Sequence, residues 1–379
     1  MSLRPVVLRS IDEVDRAEWN DVVRRGGGTA FHTHEWLRAY ERTPPTSLYG
    51  VYHLLLYRDD ELVAVAPVLH SARDPHFASC HVYGFEDPML EEPLLLCHSF
   101  YAYYNRIPTV VPLAEVVPAV VAELERIARE NGIGIFGFPG VSDDDPLATE
   151  LERHGFRCGF AEATSALTLP EGATIEDYWS GLRRSRRQDL RRLARRAAEQ
   201  GVEISLDKSH ELVDEFAELH KAICADKGSP LSYPREHLHA LFAELGPSLR
   251  LLSLRLDESM LSAFVLLEFE QVLNVWIAGL DYERSRAFGA YYILWQEAVR
   301  HAIEEGIPQV EAGRGGYPNK ISLGYEPTLE RSWYRATTPA AEARLRVSLD
   351  RLDRTLDMPR RLADAYETAG VTPKVTQPA

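Results

Sequence analysis

Apolar residues recur along this chain at two spacings, and the alternation between them outlines its elements. Between residues 291 and 305, Tyr291, Leu294, Trp295, Ala298 and Ala302 fall three or four apart, so they share one helical face. Gly306 is placed to end that helix, and a short strand, Gln309 to Ala312, runs into Gly313-Arg314-Gly315-Gly316-Tyr317 and Lys320. Earlier in the chain the pattern predicts a strand at Val6–Leu8 and a helix over 12–24. Thr33 caps a short helix carrying Trp36, Leu37 and Tyr40. A strand over 49–57 turns at Asp59-Asp60 and returns over 62–69, and 74–108 reads as irregular and aromatic-rich. Helix patterns at 116–130 and 143–154 flank a strand at 133–138, and one or two strands occupy 156–169.

The second half repeats this order. Two helices, 174–179 and one ending near Gln200, precede a strand at 202–206 and helices at 214–225 and 235–245. A hairpin over 249–256 and 262–269 turns at Asp257-Glu258, and a strand follows at 272–278. In each half a hairpin is followed by a helix ending in Gly-Ile, at Gly132-Ile133 and Gly306-Ile307, and then by a strand that meets Gly140 or Gly313. Two similar α+β units follow from that order. After them Leu345, Leu349, Leu352 and Leu356 form a helical seam, broken at Pro359, which serves either to pair two chains as a homodimer or to fold back on its own chain.

Composition narrows the chemistry. With 379 residues, 45% hydrophobic and 26% charged, the chain is expected to be globular with more than one domain. It holds no apolar run of membrane-spanning length, and its N-terminus lacks a signal-peptide pattern, so a cytoplasmic location is the expectation. Four scattered cysteines give no C-x-x-C pair, and His32-x-His34 reads better as two histidines at a helix start than as a metal pair, so no metal is expected. Net charge is −15, yet residues 183–196 carry eight arginines and one aspartate. A basic stripe on an acidic body suggests a localised anionic ligand. Of the 42 basic residues only five are lysines, which singles out Lys320 after the glycine-rich loop; its alternative is a solvated surface lysine. No nucleophile elbow, Walker loop, dinucleotide fingerprint or H-E-x-x-H motif is present.

The loop Arg284 to Ala290, between a strand and a helix N-terminus, sits where backbone amides hold a diphosphate. Its Arg286-x-x-Gly289 matches the first half of the coenzyme A loop of GNAT acyltransferases, while Tyr291 stands where that loop has glycine or alanine. Most of the chain resembles the FemAB-like, peptidoglycan-biosynthesis-like branch of the GNAT superfamily. The likeness rests on FHTHEWLRAYE, SGLRRSRRQDLRRLARRAAEQGVEI and GRGGYPNKISLGYEP, which includes Lys320, Gly324, Tyr325 and Pro327.

The resemblance implies an α+β fold of two tandem GNAT-like domains, each a central mixed, mostly antiparallel sheet flanked by helices, plus a C-terminal helical extension. Residues 1–170 would be the donor-free, acceptor-side domain, 171–338 the acyl-donor domain and 339–379 the extension and tail. It implies an N-acyltransferase joining an aminoacyl or acyl group to an amine of a cell-wall precursor or small metabolite. The co-substrate would be aminoacyl-tRNA or acyl-CoA, with no bound cofactor, tRNA entering only as donor, and the acceptor amine in a cleft between the units. On this reading Lys320 handles the donor, and Arg314 adds positive charge. Arg183, Arg184 and Arg187 hold phosphates, and Trp276 and Tyr317 shape the acyl pocket or simply pack. Glu311, at a strand end, is expected in solvent. Lys320→Ala is expected to lower turnover by orders of magnitude with the melting temperature nearly unchanged. The rival reading is a non-catalytic binding protein of the same fold that recognises an anionic glycan or nucleotide.

Overall fold

In the computed structural model, which describes residues 3–45, 47–72, 85–99, 102–207, 210–229, 232–286 and 288–373, the strands sort into two compact units. The first comprises Met1–Glu162, Cys224–Gly246 and Leu329–Leu356, and the second Ala163–Ile223, Pro247–Thr328 and Asp357–Ala379. This division differs from one made in sequence order, because 224–246 and 329–356 fold with the first unit.

In the first unit β1 (Arg4–Leu8), β3 (His53–Arg58) and β4 (Glu61–Ala66) make a small antiparallel sheet with β3 central. A second sheet runs β2 (Leu48–Val51), β5 (Val68–Ser71), β6 (Leu94–Cys97), β7 (Ile135–Ser142) and β14 (Glu326–Ala336). The single strand expected over 49–57 is therefore two, parted at Tyr52 and sent to different sheets. Its hairpin partner is parted likewise at Pro67, which has no N–H to give a ladder. β6 was not expected: its sequence LLLC is apolar throughout and buried throughout, so it shows no alternation. Of the aromatics in that stretch, Phe85 and Tyr103 are buried, while Phe77, Tyr83, Phe100 and Tyr101 lie outside the described residues.

The helix expected over 12–24 begins later, as α1 (Arg16–Arg25), because Asp15 caps it by accepting from Ala17 N and Glu18 N. Thr33 caps α2 (His34–Arg42) as expected. The core forms where α3 (Leu113–Glu130) lays Val116, Val120 and Leu124 against Leu95, Phe136 and Phe138. α4 (Pro146–Arg153) and α12 (Pro339–Leu356) belong to the same unit. Leu345, Leu349, Leu352 and Leu356 of α12 are all buried, and Leu349 and Leu352 close on Gly159. The leucine seam is covered by its own chain and is not a dimer face.

In the second unit, β8 (Arg157–Thr168) ends beside β13 (Gln309–Gly313). β12 (Val272–Leu280), β11 (Ser259–Phe269), β10 (Leu249–Leu256) and β9 (Glu203–Asp207) follow in that order. Every pairing is antiparallel except β12 with β13. The β10–β11 turn places Asp257 at φ 50° and Glu258 at φ 64°, the primed geometry that suits strand twist. The helices of this unit include α5 (Ile175–Gly181), the arginine-rich α6 (Arg184–Glu199) and α7 (Val213–Asp226), which crosses the unit boundary. α8 (Arg235–Leu245) returns to the first unit. α9 (Tyr282–Ser285), α10 (Ala290–Glu304), α11 (Tyr317–Ser322) and α13 (Met358–Ala369) complete the second. α12 and α13 part at Asp357, with φ 39°, and Pro359 sits in the first turn of α13, where its missing N–H costs nothing. Mixed, mostly antiparallel sheets flanked by helices are the fold class the sequence predicts.

Among the described residues there is no cluster able to hold a metal, and no helix is long and apolar enough to cross a membrane. His32 and His34 instead bond the carbonyls of Arg106 and Ile11.

Candidate active site

The N-terminus of α10 opens the site. Gly289 caps it in the left-handed region, φ 66°, directly after the short α9 and Arg286. Leu193 of α6 lies over that glycine: a Cβ there would sit 2.7 Å from both Leu193 methyl carbons. The arginine helix thus packs across the loop expected to hold a diphosphate. Gly289→Ala should cost about 2 kcal/mol, from the left-handed backbone and the clash together. Adding Leu193→Ala should recover the clash but not the backbone cost, and a Gly289→Ala chain as stable to urea as the wild type would contradict this packing.

The turn between β13 and α11 faces the same helix. Gly313, Gly315 and Gly316 all have positive φ, between 61° and 69°. A Cβ at Gly316 would lie 3.5 Å from the Tyr291 hydroxyl, so this turn sits against the first turn of α10. Tyr292 donates to Asn319 Oδ1 at 2.7 Å, and the Arg186 guanidinium lies 4.6 Å from the Tyr292 ring centre. These contacts bring α6, α10 and α11 together. Tyr317 is buried, accepting from Ala163 N and donating to Ala163 O, both at 3.1 Å.

Lys320 is only 4% exposed, so it is not a surface lysine. Its Nζ donates to Gly313 O at 3.0 Å and Arg314 O at 2.8 Å, and it lies 5.9 Å from the Trp295 ring centre. The charge is held inside the turn it follows. A neutral replacement therefore also removes two hydrogen bonds, which corrects the expectation of an unchanged melting temperature. Arg314 lends its carbonyl to Lys320, and its side chain is half-buried.

The strands beneath part at this point. β12 pairs with β13 only from Val272↔Gln309 to Asn274↔Glu311, yet β12 continues to Leu280 and β13 stays with β8. Trp276 is the extra residue of a bulge between Ile277↔Val265 and Val275↔Leu266, just past the end of that ladder. Glu311, expected in solvent, is 4% exposed and accepts from Gln309 Nε2 at 2.6 Å. Tyr325, fully buried, stands edge-on to Trp295 at 5.2 Å; burial, with Tyr178, Tyr291 and Glu311 nearby, holds its phenol well above the usual range.

Sequence-predicted residues thus fall into two groups. Lys320, Arg314, Tyr317, Arg286 and Gly289 gather around the start of α10 and the glycine turn. Arg183 and Arg187 already bind carbonyls, Ala369 O at 2.8 Å and Ser180 O at 3.0 Å. Arg184 is exposed at the first turn of α6. Sequence reasoning missed Arg186, Tyr292 and Asn319. The signal for Tyr292 was a second aromatic beside Tyr291 off the apolar stripe; nothing local marked the other two.

Residues 184–320 match the family model of the acetyltransferase (GNAT) domain, from the first residue of α6 to Lys320 itself. No curated protein matches the sequence. Among solved structures, FemX shares 14% identity with a TM-score of 0.62, over 87% of this chain and 98% of its own. L-PGS from Bacillus licheniformis shares 12% at 0.53, over 89% and 96%. A tandem GNAT protein from the clavulanic acid biosynthesis pathway, solved without AcCoA, shares 12% at 0.52, over 89% and 99%. Residues 184–320 are thus similar to a GNAT acetyltransferase domain, and most of the chain shares the fold of FemX and of the tandem GNAT protein.

Proposed function

We propose that this chain is an N-acyltransferase whose second unit binds an activated acyl donor and passes the acyl group to a primary amine of a cell-wall precursor or small metabolite. The amine nitrogen attacks the donor carbonyl, the amide C–N bond forms, and the donor's ester or thioester bond breaks. The proton lost by the amine ends on the departing hydroxyl or thiol. The observation that carries this reading is the buried Lys320 charge, fixed by Gly313 O and Arg314 O beside the point where β12 and β13 part. A cation held in a low-dielectric site stabilises the oxyanion that forms on the carbonyl, and it does so without reorganising. Trp276 borders the acyl group in this scheme, and Tyr317 fixes the turn by gripping Ala163.

Leu193 over Gly289, with Tyr291 in place of a small residue, favours aminoacyl-tRNA over acyl-CoA, because the diphosphate approach is filled by a side chain. The exposed Arg184, Arg191, Arg192, Arg195 and Arg196 of α6 then meet the RNA backbone. The test supplies labelled acetyl-CoA and, separately, mixed labelled aminoacyl-tRNA, each with a panel of primary amines. Label should move to an amine in the aminoacyl-tRNA arm. Transfer from neither donor, with salt-sensitive polyanion binding retained, would replace this reading with that of a binding protein.

A further inference from the structure

The second unit holds a half-open pocket of about 330 Å³, lined by residues of β8, α5, α11 and α13 and by the segment that follows α13. That volume is at the lower end of small-molecule sites and far above the voids that packing normally leaves. Leu169, Leu182, Ile321, Tyr325, Tyr366 and Val371 give it an apolar wall. Three charged residues, Asp177, Arg183 and Glu326, also border it.

Two of these charges are solvent-exposed at its border and tethered, with hydrogen-bonding capacity left over. Arg183 crosses Gly370, where a Cβ would sit 2.0 Å from its Nη1, and donates that Nη1–H to Ala369 O at 2.8 Å. Its remaining N–H groups bond nothing else among the described residues. Asp177 uses Oδ2 for both Thr174 N and Thr174 Oγ1, at 2.9 and 2.7 Å, and its Oδ1 accepts nothing among them. The Tyr325 hydroxyl, on a residue 1% exposed in the cavity wall, has no partner among them either. An apolar chamber bordered by one guanidinium and two carboxylates suits a molecule with an apolar body, one carboxylate and one ammonium.

We propose that this cavity binds a free α-amino acid with a large apolar side chain. Its carboxylate pairs with Arg183, its ammonium with Asp177, and its side chain lies against Leu182, Ile321 and Tyr366. The pocket's lining does not include Lys320, Arg314, Tyr317 or Trp276. Binding there does not depend on acyl transfer.

Calorimetric titration of the full chain with L-phenylalanine and L-leucine tests this. Saturable binding is expected with Kd of about 1 mM or tighter. Phenethylamine, which lacks the carboxylate, and 3-phenylpropionate, which lacks the ammonium, should each bind at least about tenfold more weakly, a loss of one charged hydrogen-bonded contact. Glycine should not bind. Val371→Trp, which fills the chamber, should abolish binding, and Asp177→Asn should weaken it. No saturable heat with either amino acid, binding of either single-charge probe as tight as that of L-phenylalanine, or undiminished binding in a folded Val371→Trp chain would each overturn the proposal. The probe series on the wild-type chain decides the matter even where that variant does not fold.

Discussion

Lys320→Met should lower the rate of amide formation by roughly 10²–10³-fold, the usual cost of losing one preorganised group facing a developing oxyanion. The loss should appear in kcat more than in KM, because the charge acts on the transition state and not on the ground-state donor. Methionine keeps the length of the stem that runs past Trp295 but offers no donor to Gly313 O and Arg314 O. Those carbonyls then lose a partner inside the protein, so stability should also fall, by about 1–3 kcal/mol. Steady-state kinetics and urea unfolding on the same preparation separate the two effects. A variant that turns over at the wild-type rate would remove Lys320 from the chemistry, however much stability it lost.

Acid should weaken the first unit steeply, and two buried histidines are the reason. His32 is fully buried: Nδ1 accepts from the Thr29 hydroxyl at 2.8 Å, and Nε2 donates to Arg106 O at 3.1 Å. Burial, helped by the Arg106 charge, pushes its pKa down to about 3. His237 donates Nδ1–H to Thr43 O at 2.8 Å, and its Nε2 is buried with no partner among the described residues. Burial pushes its pKa down to about 4. Unfolded, both titrate near 6.5. Below that pH the unfolded chain takes up protons that the folded chain refuses, so stability is complete above about 6.5 and falls as pH drops toward the folded values. At pH of about 5 each histidine should have cost roughly 2 kcal/mol, about 4 together. Asp143 and Asp353, raised by burial, act in the opposite sense but only toward the acid end. Equal urea midpoints for the first unit at pH of about 7.5 and about 5 would contradict this account.

Much of the site could be read from the chain because it is local. The stripe from Leu294 to Ala302, the cap at Gly306 and the run from Gly313 to Lys320 are consecutive, and short-range periodicity reports such segments well. What could not be read is non-local. Glu311 looks like a surface charge in sequence and Lys320 leaves the choice open, yet the fold buries both. Arg186 is one of eight arginines within 183–196, and nothing but the position of Tyr292 distinguishes it. β6 failed for another reason: a strand buried on both faces loses the alternation that would announce it.

α8 carries a consequence for how this protein is made. It is encoded between α7 and β10, yet it closes the first unit, where Arg38 and Arg42 reach Glu244, and His237 reaches Thr43. Leu238, Leu241, Phe242 and Leu245 are buried there. A ribosome that has released residues 1–162 has not yet supplied that helix, nor β14 and α12. The nascent first unit must wait, partly unsealed, until almost the whole chain has emerged. By the same token, a gene fragment spanning only the matched 184–320 would yield an orphaned greasy helix and a sticky product, not an excised acetyltransferase domain.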